Sequence, residues 1–223
     1  MCVITLSREI GSEGNSIAAK VAQALGYHLA DKSTVETVFR EYGLTDLEGQ
    51  YESIPSFWER FDSQKADQRR TTLNMLNQTL CALAHHDNVV ILGRGGYVIL
   101  RDYQDVLNVR VQAPLETRIH RVRDSVAYSD SIHAEETVKA DDRLQKEFIK
   151  SVYGASWVEP GGFDLVIDTG KLTPDMAVDV IVTAAQALSA RHPDGLTIAD
   201  LKVDKTLAAA VDEALSPVGA DTH

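Results

Sequence analysis

Residues 3–18 read VITLSREIGSEGNSIA, and this stretch decides the fold. Its first half, within Cys2 to Ser7, is rich in β-branched and apolar residues, as a short buried strand is. Its second half, from Asn15 to Leu25, repeats Ile17, Val21, Ala24 and Leu25 at helical spacing. Between them lies Gly11-Ser12-Glu13-Gly14, so the chain runs strand, glycine loop, helix. In a doubly wound sheet ligands bind outside the carboxyl ends of the strands. A glycine turn into a helix there presents backbone N–H groups and the positive end of the helix dipole to a phosphate. A tight strand-to-helix connection uses the same glycines, so the loop alone leaves both readings open.

Outward from this unit the alternation continues. Short strands are expected at Tyr27–Ala30, Asn88–Leu92, Val106–Val111 and Phe163–Asp168. Helices are expected at Ser33–Glu41, ending before Gly43, and from about Gln64 to His86, with Leu73, Leu76, Leu80 and Leu83 on one face. Further helices are expected at Leu115–Ser125, His133–Val152, Thr173–Ala190 and Asp204–Leu215. Thr45–Ser63, acidic and aromatic, reads as a loop with short helices. Strands alternating with helices predict an α/β chain: a three-layer αβα, mostly parallel sheet covered on both faces. One domain over residues 1–190 is expected, with an extension over 191–223 that reads as a surface helix and a frayed end.

The 223 residues carry 22 Lys and Arg against 33 Asp and Glu, a formal net charge of −11. An acidic surface repels an extended polyphosphate backbone, so nucleic acid is not an expected partner, whereas a local cluster of arginines and amides still binds a small anion. Two cysteines, Cys2 and Cys81, have no metal or disulfide spacing. No long apolar run suggests a membrane span, and the cytoplasm is the expected location.

Five stretches in order, VITLSREIGSEGNSIA, YHLADK, VVILGRGGYVILRDY, VRVQAPLETRIHRV and FDLVIDTGKLTPDMAVDVI, run from residue 3 to residue 181. Together they resemble the cytidylate kinase-like family of P-loop kinases. The resemblance implies a P-loop-kinase-like sheet with a helical lid at about residues 118–155 and a C-terminal helical tail. It also implies ATP or GTP with Mg²⁺ as cofactors, and transfer of the γ-phosphoryl to a nucleotide or other small phosphorylated acceptor. Gly11, Ser12, Glu13, Gly14, Asn15, Ser16 and Ile17 would cradle the nucleotide. Beside the pattern GxxxxGK[ST], Arg8 stands at the first glycine, Gly14 at the lysine, and Ser16 is taken as the hydroxyl that reaches the metal. The missing lysine makes Arg8 the nearest replacement cation, with Lys32 a second candidate.

Gly93-Arg94-Gly95 follows a buried strand, where a charged residue between glycines approaches a ligand closely. The resemblance implies that Arg94 holds the acceptor phosphate, with Gly95 in place of the aspartate of a Gly-Arg-Asp motif. Asp31 and Lys32 stand where an acceptor-binding segment begins, although Lys32 also fits a simple ion pair. Arg118 and Arg121, three apart on one helix, and Arg143 on the next correspond to lid arginines that would neutralise a transferring phosphoryl group. Lys146 and Lys150 are substitutes for a further lid arginine. Asp141 and Asp142 could orient Arg143 or a metal-bound water, or be solvated surface. Two other functions remain open: a nucleotide or phosphate sensor without turnover, and a partner-binding module that uses residues 46–62. A homodimer is open as well.

Overall fold

The computed structural model describes residues 2–42, 66–125 and 131–216. The readings of Gly43, of Thr45–Ser63 and of residues 46–62 lie outside them.

Strands β1 (Val3–Arg8), β2 (His28–Ala30), β3 (Val89–Leu92), β4 (Val106–Gln112) and β5 (Leu165–Asp168) form one sheet in the order β2-β3-β1-β4-β5. Every pairing is parallel, with Ile4 opposite Val90 and Leu107, and Val109 opposite Leu165. Helices α1 (Gly14–Leu25), α2 (Lys32–Glu41), α3 (Ala66–His85), α4 (Gly96–Ile99), α5 (Leu115–Asp124), α6 (Ser131–Tyr153), α7 (Pro174–Ser189) and α8 (Lys205–Leu215) connect and cover the strands. Among the described residues the expected elements are all present; α4 and two 3₁₀ turns at Pro160–Gly162 and Ile198–Asp200 are additions. A four-residue helix is too short to leave a period in the sequence.

The side-chain alternation of β1 sorts the layers. Cys2, Ile4 and Leu6 face α1 and α7, packing with Ile17, Val21, Ala177 and Ile181. On the opposite face Val3 joins Val89 and Ile91 under α2, α3 and α8. Full burial of each of Leu76, Leu80 and Leu83 on α3 contributes about 1.5–3 kcal/mol. The half of that face under β4 is polar: Thr5, Asn108 and Arg110 are all buried, and the Thr5 hydroxyl donates to Asn108 Oδ1 at 2.7 Å.

The C-terminal helix differs from the surface arm expected of it. Leu207, Ala210, Val211 and Leu215 on α8 are buried in one cluster with Val35, Phe39, Leu80 and Leu83. Its apolar spacing is short and weak in the sequence, but α2 and α3 leave an apolar groove that those four side chains fill. Among the described residues no helix is long and apolar enough to cross a membrane.

Candidate functional site

The loop after β1 is shaped by its own hydrogen bonds. The Ser12 amide and hydroxyl both donate to the Glu9 carbonyl, at 3.1 and 2.7 Å, closing a turn with Gly11 at φ 76°. Glu13, at φ 62°, then leads into α1, whose first amides have no intrahelical acceptors. These amides and the helix dipole face a cavity of about 470 Å³ lined by Arg8, Gly11, Glu13, Gly14, Asn15, Arg121 and Asp141.

Position 14 explains the missing lysine. A Cβ on Gly14 would lie 2.3 Å from Arg8 Cβ, closer than two carbons can approach. Arg8 and any side chain at position 14 are therefore mutually exclusive. The Arg8 guanidinium is held by a 2.8 Å hydrogen bond from Nε to Asn15 Oδ1, and its Nη1 lies 3.1 Å from where a side chain on Gly93 would begin. Arg8 thus sets a guanidinium between the phosphate loop and the Arg94 loop.

Burial, then the charge of Arg94, pushes the Arg8 guanidinium below its usual range, with Asp141 acting against the shift. A desolvated cation beside a second cation is relieved when an anion arrives. Burial also pushes the Asp141 carboxyl up, with Arg8 opposing. Gly93, Arg94 and Gly95 all have positive φ, near 74°, 61° and 76°. A Cβ on Gly95 would meet the Tyr153 ring at 2.5 Å, so the Arg94 loop is packed beneath the end of α6.

The two arginines of α5, expected in a lid role, are both held by protein acceptors. Arg118 is buried and donates to both oxygens of Asp142, at 2.9 and 2.8 Å, and to the Ala113 carbonyl, while Glu9 lies 3.3 Å from its Nε. Burial alone would depress its pKa, but these carboxylates raise it. Arg121 lines the cleft, yet donates to the Gly11 carbonyl at 3.2 Å and to Thr169 Oγ1 and O at 3.0 and 2.8 Å. Thr169 Oγ1 in turn donates to the Ser12 carbonyl. Both guanidiniums therefore brace the phosphate loop, because Glu9, Asp142 and Thr169 offer closer acceptors than the cleft does.

The remaining expected residues stand outside the cleft lining. Ser12 is buried beneath the loop and Ile17 is in the core. Counted from Arg8, the eighth position of the motif is Asn15, and Ser16 is the residue after it; Ser16 is exposed and outside the cleft lining. Asp31 caps α2 by accepting from the Thr34 amide at 3.1 Å, and Lys32 pairs with Glu36 at 3.4 Å. Arg143 is exposed outside the cleft, and Lys146 and Lys150 line a different cavity. Among the described residues no three His, Cys, Asp or Glu side chains could hold a metal together.

Sequence reasoning missed Glu9, Arg110 and Thr169. Glu9 Oε1 accepts from buried Arg110 at 2.8 Å, and Arg110 also donates to the Trp157 carbonyl and lies over the Trp157 ring. The signal for Arg110 is a charged residue inside an otherwise apolar strand pattern.

The model of the cytidylate kinase-like family matches residues 3–171. The chain belongs to the cytidylate kinase-like family. Cytidylate kinase of Ignicoccus hospitalis is 27% identical over 186 residues, covering 81% of this chain and 97% of that protein. Uronate isomerase of Corynebacterium glutamicum is 33% identical over 96 residues, but the match spans 43% of this chain and 18% of that protein. An uncharacterised protein from Eubacterium ventriosum, 20% identical, superposes with a TM-score of 0.64 over 86% of this chain and 100% of that one. The cytidylate kinase-like fold is thus the α/β arrangement that residues 3–18 imply.

Proposed function

We propose that the chain is a phosphotransferase that takes ATP or GTP with Mg²⁺ in the cleft between Arg8 and Asp141, and a nucleotide or other small phosphorylated acceptor beside Arg94. The observation that supports this most is the steric exclusion between Arg8 and position 14. A loop in decay would lose its lysine and gain no other cation; here Arg8, held by Asn15, lines the same cleft.

The donor set accommodates the nucleotide. Loop and helix amides would donate to the β- and γ-phosphate oxygens, and Arg8 would supply the positive charge. For the metal, Asn15 Oδ1 is engaged by Arg8, and Glu9 by Arg110 and Arg118. Asp141 and Glu13, the latter 3.7 Å from Arg121, are the cleft carboxylates that remain to hold it, in keeping with a Mg²⁺ bound by one or two carboxylates plus phosphate oxygens. When bound, Mg²⁺ would neutralise charge on those oxygens. Arg94 would orient the acceptor phosphate, whose oxygen is already anionic and needs no strong base, so the work of the chain is positioning and electrostatic stabilisation.

The commitment of Arg118 and Arg121 to protein acceptors favours a second reading, a sensor that binds nucleotide without turnover. Incubation with MgATP or MgGTP and a panel of nucleoside monophosphates, following nucleoside diphosphate release, separates the two. The phosphotransferase reading expects release with at least one acceptor and its loss in Arg94→Ala. Tight nucleotide binding with no release across the panel favours the sensor.

A further inference from the structure

A second cavity, of about 630 Å³, shares no lining residue with the phosphate cleft. Its walls are Tyr97 and Val98 of α4, Arg101 after it, Lys146 and Lys150 of α6, and the segment from Gly154 to Gly162. That segment precedes β5, and Tyr97 and Val98 follow the Arg94 loop after β3.

Three cations face this cavity and Glu159 is the one acidic residue in its lining, in a chain whose net charge is −11. Lys146 and Lys150 are four apart and so share a face of α6, an arrangement that like charges disfavour. Lys150 lies in the last turn, where the helix dipole favours it. Lys146 has no such reason to be there, and Arg101, exposed at the cavity edge, has Asp102 3.8 Å from its Nε. The ion pairs of α6 join Lys139 to Glu135 and Asp142 to Arg118; among the described residues neither Lys146 nor Lys150 takes part in one.

The cavity floor is rigid. The Tyr97 hydroxyl donates to the Ser156 carbonyl at 3.0 Å, the Tyr97 ring stacks on Phe163 at 4.3 Å, and Trp157 is buried behind them. A concave, preformed wall bearing clustered like charge is relieved by a multiply charged anion.

We propose that this cavity is a second binding site, for a small phosphoryl-bearing anion, held by Arg101, Lys146 and Lys150. The site is independent of the nucleotide cleft. Calorimetric titration of the full chain with inorganic pyrophosphate tests it. The wild type should take up two pyrophosphates. Arg8→Ala should keep the second site, and Lys146→Gln/Lys150→Gln should weaken that site at least tenfold while leaving the other unchanged; Arg101→Gln should weaken the same site. These exposed side chains are not part of the core, and Lys171→Gln/Lys202→Gln serves as a control for net charge. The proposal is overturned if the wild type binds one pyrophosphate that Arg8→Ala abolishes, if the Lys146/Lys150 variant keeps both sites, or if the control variant weakens binding equally. One pyrophosphate lost only in the Lys146/Lys150 variant would support this site and count against the nucleotide cleft.

Discussion

Arg8 and Gly14 behave as one unit, and substitution at either position is expected to reveal it. Gly14→Ala should destabilise the fold by about 1–3 kcal/mol, as overpacking does, since the new methyl collides with Arg8 Cβ. Arg8→Ala keeps that Cβ and should not relieve the strain, whereas Arg8→Gly should; denaturant unfolding of the single and double variants measures the coupling. Asp141 gives a second test. In metal-free buffer Asp141→Asn removes a carboxylate that repels phosphates, so ATP should bind several-fold tighter. With Mg²⁺ the variant should lose most of the gain in affinity that the wild type shows, and calorimetry in both buffers reads the two effects. The sequence displayed the absence of lysine and the candidacy of Arg8. It could not display the reason, because a 2.3 Å conflict between positions 8 and 14 arises only when a strand end and a helix start are placed side by side. The engagement of Arg118 by Glu9 and Asp142 was hidden in the same way, since those carboxylates approach it from two other elements.

Helix α2 has an aspartate before its first turn, and this Asp31 accepts from the Thr34 amide and the Ser33 hydroxyl. Burial would raise its pKa, but those hydrogen bonds outweigh burial and hold it below the usual aspartate range. A lowered folded pKa means that the stabilisation is complete above the ordinary aspartate range and disappears as the pH falls through the lowered value. Asp31→Ala should cost about 1 kcal/mol at neutral pH, with the difference from wild type vanishing in acid; thermal unfolding at pH 7 and at low pH checks both. Elements of this length were legible, although the capping role of Asp31 was not. The polar lining beneath β4 was not, because Asn108 and Arg110 alternate with Leu107, Val109 and Val111 as solvent-facing residues do. Only the covering segment with Trp157 and Phe163 makes that side interior.

At the scale of the whole molecule, α8 joins the C-terminal residues to the helices that flank the proposed acceptor site. Leu207→Ala should cost roughly 2–5 kcal/mol, the range for a buried leucine, where a surface arm would lose almost nothing; chemical denaturation distinguishes the two. The alternation of strands and helices made the parallel sheet readable from one end of the chain to the other. The groove that α8 fills was not readable, since its walls come from α2 and α3, distant in sequence. The central claim is that an arginine on β1 has replaced the lysine of the phosphate loop in a working nucleotide site. Calorimetric titration of MgATP into the wild type, Arg8→Ala and Arg8→Gly/Gly14→Lys tests it most directly. The account predicts binding by the wild type, a loss of at least tenfold in Arg8→Ala, and recovery in the double variant, where the lysine has room. Equal affinity in the wild type and Arg8→Ala, or no binding of MgATP by the wild type at millimolar concentration, would contradict it.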